Sequence, residues 1–287
     1  MIAVYRKEIR SYLTSMIGYV FVAFMLAVIG IYFSFTNLNL SSPRFETVLQ
    51  NVQFLFIIFV PILTMRVLAE ERKQKTDQLL LTLPLAVSDI VLGKYLALVT
   101  LYAAPMAVVC AYPLILSRFG TVNMAVAYLS ILGFFLLGCA NMAIGLFFSS
   151  LTDNPVIAAV MSFGFLLICF LMDSISGMVP NTAIASLVSF TVLALLLAAV
   201  IYNMIRNVKM TVAAAAVVVA VLAIVYAVRA PLLEGAFPRF LSVFYMNGQL
   251  TGFFDGILDI TGIVYYVSIA AVALFLSIQT VVKRRWN

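Results

Sequence analysis

The sequence has no histidine, only three cysteines and few charges: lysine, arginine, aspartate and glutamate make up 10% of 287 residues. Without histidine the chain lacks the commonest general base and one of the commonest metal ligands. Cys110, Cys139 and Cys169 stand far apart within apolar runs, lack the paired spacing of a metal site or disulfide framework, and read as small packing residues. The single Gly-Lys pair, Gly93-Lys94, has Ser88 where the first glycine of a phosphate-cradling loop would stand, so no nucleotide-hydrolysing motif is present. The acids are scattered at the ends of apolar runs, with no cluster suited to lipid phosphates or peptide bonds. We therefore expect no catalytic residue, no metal and no cofactor bound by this chain, which is not an enzyme by this reading. Asp255 and Asp259 form one close acidic pair, either a cation site on one helix face or two solvated carboxylates.

Long apolar runs dominate what is there. Hydrophobic residues make up 65% of the chain, against about 45–50% in soluble domains, and a surplus of that size needs lipid as its solvent. A helix needs roughly 20 apolar residues to cross the hydrocarbon layer. Eight stretches qualify: Met16 to Phe35, Val52 to Leu68, Asp89 to Leu116, Met124 to Ser150, Pro155 to Met172, Ala183 to Ile205, Met210 to Val228 and Gly262 to Val282. The expected fold is an all-α polytopic membrane protein, one transmembrane domain over residues 1–287. Charges are nearly absent from the middle of these runs, which disfavours an ion-driven carrier with intramembrane relays.

The net charge of +6 would suggest nucleic acid in a soluble protein, but its distribution points to membrane topology and no nucleic-acid partner. With the amino terminus inside, thirteen basic residues fall on inner segments, and only Arg44, Arg118, Arg229 and Arg239 fall outside. The positive-inside rule selects that orientation, with both termini cytoplasmic. The charged opening from Arg6 to Arg10 leads into a run long enough to stay in the bilayer, so the first span reads as an uncleaved anchor.

Between the spans, three segments carry pattern. In residues 1–14, Ile2, Tyr5, Ile9, Tyr12 and Leu13 recur at helical spacing, as an amphipathic helix on the inner membrane surface or as a plain basic flank. Residues 69–94 join Glu70, Glu71, Arg72, Lys73, Lys75 and Asp77 to Leu79, Leu80, Leu81, Thr82, Leu83 and Pro84. An exposed leucine run of that kind expects a docking partner, with Pro84 ending its helix and Ser88 capping the next. Residues 229–261 carry Phe237, Phe240, Phe244, Tyr245, Phe253 and Phe254, either as interfacial or re-entrant helices or as an aromatic belt. Asn141 and Gly145, four apart, suit close helix packing inside the chain or at a dimer seam. Pro61, Pro105 and Pro113 lie within spans and carry little weight.

Three stretches together resemble the ABC-2 type permeases, especially the branch associated with gliding motility and copper-enzyme maturation. They are Tyr5-Arg6-Lys7-Glu8-Ile9-Arg10-Ser11-Tyr12 with Ile17-Gly18-Tyr19-Val20; Val60-Pro61-Ile62-Leu63-Thr64-Met65-Arg66 leading through Ala69-Glu70-Glu71-Arg72, Thr76, Leu79-Leu80-Leu81-Thr82 and Pro84 to Gly93-Lys94; and Phe253, Gly256-Ile257-Leu258-Asp259, Val264-Tyr265-Tyr266 with Lys283-Arg284-Arg285-Trp286.

The resemblance implies a bacterial inner-membrane exporter subunit with an unidentified substrate. It implies as partners a separate ABC ATPase subunit holding ATP and Mg, a second permease subunit and the lipid bilayer. Residues Glu70, Glu71, Arg72, Thr76, Leu79, Leu80, Thr82 and Pro84 would form a coupling helix against the ATPase. Ser149, Asp153 and Asn154 would make a second cytoplasmic contact, and Phe253, Gly256, Asp259 and Tyr265 would belong to the external segment. Lys75 stands where that family usually has glycine. Members commonly have six spans, which makes 183–228 an additional hairpin. The rival is an ATP-independent carrier or a structural component of a surface machine; a carrier would accumulate substrate from an ion gradient alone.

Overall fold

The computed structural model describes residues 1–76, 86–205, 226 and 230–285. Every element among them is helical. The chain divides into two compact units, one formed by residues 1–170 and 249–287, the other by 171–248.

In the first unit, α1 (Ile2–Thr14) is followed after Ser15 by α2 (Met16–Phe33), which continues as a π-helical stretch to Asn39. Gly18 makes that sharp succession possible, because a Cβ there would lie 2.3 Å from the Tyr12 carbonyl oxygen. Helices α3 (Glu46–Val52) and α4 (Leu55–Thr64) come next, then the short α5 (Ala69–Lys73). The axis turns by 60° between Glu46–Val52 and Leu55–Lys73. This bend falls at Gln53 and Phe54, where the amides of Phe56 and Ile57 bond three residues back instead of four; Pro61 stays inside its helix.

The bundle continues with α6 (Val87–Val109), α7 (Tyr112–Leu116), α8 (Met124–Leu151) and α9 (Pro155–Met178), the last of which runs on into the second unit from Leu171. Helix α6 begins with Ala86 at its N-cap, so Ser88 sits inside the first turn and does not cap it. Towards the carboxyl end, α12 (Leu250–Phe254) and α13 (Ile260–Arg285) complete this unit.

Helix α8 is the centre. Its most apolar window is 67% buried within the protein, against 22% for the corresponding window of α13, so α8 faces protein while α13 keeps most of its apolar surface outward. Small residues explain how neighbours approach α8: a Cβ on Gly133 would meet Phe253, one on Gly138 would lie 2.5 Å from the Tyr102 ring, and one on Gly145 would lie 2.3 Å from Thr64 Oγ1. Tyr102, fully buried, donates its hydroxyl to the Phe134 carbonyl at 3.0 Å and stacks on Phe135. Asn141 is buried on the same helix.

The second unit holds α10 (Ala183–Ile205), the 3₁₀ turn Ala230–Leu233, α11 (Ala236–Ser242) and the 3₁₀ turn Met246–Gln249. Phe190 of α10 packs on Phe237 and Phe240, and Phe240 packs on Phe244. The aromatic residues of 229–261 thus divide: Phe237, Phe240 and Phe244 cluster on α10, whereas Phe253 and Phe254 are buried in the first unit.

Among the described residues five helices are long and apolar enough to cross a membrane: Met16–Asn39, Val87–Leu116, Met124–Leu151, Pro155–Met178 and Ile260–Arg284. The bent α3–α4 pair raises the number to six if it is one span. Of the eight expected spans, Ala183 to Ile205 is helical and Met210 to Val228, apart from Tyr226, lies outside the described residues. The chain is an all-helical, polytopic membrane protein; the number eight goes beyond what these helices establish.

Candidate functional site

One end of the first unit gathers most of its charge, and α5 lies in the middle of it. Helix α5 has no capping side chain of its own, since Leu68 occupies its N-cap position. Ser149, fully buried near the end of α8, supplies the cap from 81 residues away in sequence. Its Oγ accepts from the amides of Leu68 and Ala69, each at 3.1 Å, and donates to the Met65 carbonyl at 3.2 Å. One hydroxyl uses its full bonding capacity on three backbone groups.

Beside this cap, Lys94 of α6 carries a side chain with no exposed surface. Its Nζ lies 3.0 Å from Glu8 Oε1 on α1 and 2.8 Å from Glu71 Oε2 on α5, and donates to the Val67 carbonyl at 2.9 Å. Lys7 reaches Glu71 at 2.8 Å and Glu8 at 3.5 Å. Two cations therefore face two carboxylates, and the buried lysine is paired as a buried charge must be. Burial works against the charge of Lys7, but its hydrogen bond to Glu71 and the carboxylates of Glu71 and Glu8 outweigh that and raise its pKa above the usual lysine value. The preceding Gly93 lets α1 lie directly on α6, since a Cβ there would be 3.1 Å from the Met1 carbonyl oxygen and 3.2 Å from Val4 Cβ.

The other side of α5 is tied just as closely. Arg72, largely buried, donates to the Ser150 carbonyl and lies 3.8 Å from Asp153. Arg284, near the end of α13, meets the same Asp153 at 2.6 Å and donates to the Leu151 carbonyl at 2.9 Å. Glu70 pairs with Arg66 at 2.6 Å. Helices α1, α6, α8 and α13 are all joined to this one turn of helix.

Lys75 ends α5 in the left-handed region, at φ 59°. The Thr76 amide bonds to the Glu71 carbonyl at 2.9 Å and the Lys75 amide to Arg72 at 2.9 Å, the paired bonds of a Schellman terminus. Glycine suits that position because any Cβ there costs about 1–2 kcal/mol. Lys75→Gly is therefore expected to stabilise the purified chain by about 0.5–1 kcal/mol after the larger backbone entropy of glycine is deducted, read as a higher thermal unfolding midpoint in detergent.

The structure brings Glu70, Glu71, Arg72 and Thr76 together with Ser149 and Asp153, while Leu79, Leu80, Thr82 and Pro84 lie outside the described residues. Asn154 instead caps α9, its Oδ1 accepting the Val156 amide at 3.0 Å. The four external-segment residues form a separate group. Phe253 is fully buried and its carbonyl accepts from Ser130, Gly256 turns at φ 78°, Asp259 caps α13 through the Thr261 amide, and Tyr265 meets Tyr266 edge-on. Glu8 and Lys94 are participants that the reading of site residues did not single out. No group of acids and cysteines suited to a metal ion occurs among the described residues.

The family model described as ABC-2 family transporter protein matches residues 5–205, more than half of the chain. The chain belongs to that family. No individually curated protein matches it. The ABC-2 match takes in α1, α5, Lys94 and the Ser149–Asp153 turn, and stops before Arg284 and the external segment. Membership makes the protein the membrane component of a transporter, a part that is not itself catalytic.

Proposed function

We propose that this ABC-2 family chain is the permease half of an ATP-driven exporter, paired with a second permease subunit and driven by two ATPase subunits that hold ATP and Mg. The motif stretches favour the gliding-motility and copper-enzyme-maturation branch. The proposed setting is a bacterial plasma membrane with both termini cytoplasmic, α1 lying at the inner membrane surface, and 183–228 as a hairpin added to a six-span core.

The observation that supports this reading most is the fastening of α5. A one-and-a-half-turn helix joined to α1, α6 and α8 by buried polar contacts, and to α13 through the exposed Asp153–Arg284 pair, cannot shift alone. Closure of ATPase subunits against residues 69–94 would then tilt those helices together, changing access from one side of the membrane to the other. Glu70, Glu71, Arg72, Ser149 and Asp153 would transmit the push, and Leu79, Leu80, Thr82 and Pro84 would meet the ATPase.

The test is recovery of the tagged chain from its native membrane with its bound proteins. A P-loop ATPase is expected to co-purify, and charging the leucine run, as Leu79→Glu with Leu80→Glu, is expected to reduce its recovery at least tenfold. Recovery of the folded chain alone, or an unchanged amount of ATPase with the charged variant, would favour the independent carrier or structural component.

A further inference from the structure

A cleft of about 320 Å³ opens where α1 ends and α2 begins, against α4 and α5. At roughly 30 Å³ per water, it has room for about ten waters, or a group the size of a phospholipid headgroup. Its apolar wall is Ile17, Leu63 and Val67; its polar wall includes Lys7, Glu8, Tyr12, Arg66, Glu70 and Glu71. Ile17 stands one residue inside the first span, and the neighbouring Leu13 and Met16 are exposed. The cleft therefore sits at the level where a hydrocarbon layer gives way to headgroups.

Two polar groups in this wall are unused by the protein. Both lysines approach Glu8 through Oε1, which leaves Oε2 without a hydrogen bond among the described residues although Glu8 is more than nine-tenths buried. The Tyr12 hydroxyl makes no hydrogen bond among the described residues either, and burial raises its pKa so that it remains a donor. Both atoms open onto the cleft, where a ligand's donor can reach the carboxylate oxygen and its acceptor the phenol.

Charge narrows the choice of ligand. The cleft is lined by three carboxylates, Glu8, Glu70 and Glu71, and two cations, Lys7 and Arg66. Lys94, bonded to both Glu8 and Glu71 from behind the wall, brings the charge of this cluster to balance, and a purely anionic headgroup would upset that balance. A headgroup that couples a phosphate to a primary ammonium adds no net charge, offers N–H donors to Glu8 Oε2, and offers phosphate oxygens to Arg66 and Tyr12. A quaternary ammonium has no N–H to give.

We propose that this cleft is a binding site for an ethanolamine phospholipid of the adjoining leaflet, its ammonium toward Glu8 and its phosphate toward Tyr12 and Arg66. The site depends on the membrane placement of α2 and is independent of coupling to an ATPase, so it can be tested on the purified chain alone. Because α1 and α5 form opposite walls, an occupied cleft would bridge the surface helix and the tied turn.

The experiment is native mass spectrometry of the full chain titrated with ethanolamine, choline and glycerol phospholipids of identical acyl chains. Bound ethanolamine lipid is expected to exceed each of the others about fivefold or more, a ratio suited to one charge-assisted hydrogen bond. Tyr12→Phe should lower it about threefold, and Arg66→Gln about tenfold. Equal retention of the three lipids overturns the proposal, as does an unchanged preference in both variants. If either variant fails to fold, hydrogen exchange over residues 11–17 of the unmodified chain decides: slowing by the ethanolamine lipid alone supports the site, and no slowing overturns it.

Discussion

Lys94→Met is expected to destabilise the protein by about 3–5 kcal/mol, the cost of removing one partner from a buried ionic group. The substitution keeps the length of the side chain and removes its ammonium, so Glu8 and Glu71 face each other with only the half-exposed Lys7 between them. Val67 loses the donor to its carbonyl as well. Thermal unfolding in detergent is the direct measurement. A triple variant with Glu8→Gln and Glu71→Gln added should recover at least half of the loss, because the unpaired charges are then gone. A drop as large in the triple as in the single variant would mean that Lys94 matters through packing and not through charge. The same cycle separates stability from transport: a refolded triple variant lacks the ionic tie between α1, α5 and α6, and on the proposed mechanism it should hydrolyse nucleotide with its partner while moving less substrate per cycle.

Gly138→Val is the second substitution with a large expected effect. A Cβ at this position would lie 2.5 Å from the Tyr102 ring and 2.8 Å from its hydroxyl oxygen, and Tyr102 is fully buried. To make room the ring must leave Phe135 and give up its bond to the Phe134 carbonyl. Overpacking of this kind costs about 1–3 kcal/mol, and the lost buried hydrogen bond adds about 1 kcal/mol or more. A fall of the unfolding midpoint with Gly138→Val, much reduced when Tyr102→Phe or Tyr102→Leu is combined with it, would locate the strain at this contact. No fall would show that α6 can move away from α8.

These two positions also show what the amino-acid pattern reveals and what it conceals. Apolar runs long enough to cross lipid are a one-dimensional signal, and α2, α6, α8, α9 and α13 follow from them directly. The bend at Gln53 and Phe54 has no such mark, because it is made by amides bonding three residues back in an otherwise continuous apolar stretch. Ser88 resembles a cap in the sequence, yet the helix starts one residue before it.

The charged end was partly legible. Glu71 and Arg72 stand in a motif stretch, Ser149 and Asp153 in the second cytoplasmic contact that the resemblance implies, and the fold brings them to one place. Glu8 and Lys94 are 86 residues apart, and nothing in linear spacing joins them. One clue was available: Lys94 is the only cation in an apolar helix, a full two turns after Val87, where a charge has to find a partner. For Gly138, composition tells only that small residues recur on α8; which ring lies against them is a property of the packed bundle.

The cap on α5 has a consequence for how the protein is made. Ser149 is polymerised 81 residues after Leu68, which at about 5–20 residues per second is a delay of roughly 4 to 16 s. Through that interval the first amides of α5 have no hydroxyl to meet, and the turn they begin is held only by water or by whatever else is at the mouth of the insertion machinery. Completion of α8 closes it, and Arg284 arrives later still. The nascent chain thus carries an ordering rule: the segment that on the proposed mechanism receives the push is locked only after the third long apolar helix has entered the membrane, so a subunit halted before that point would have no finished surface to offer a partner.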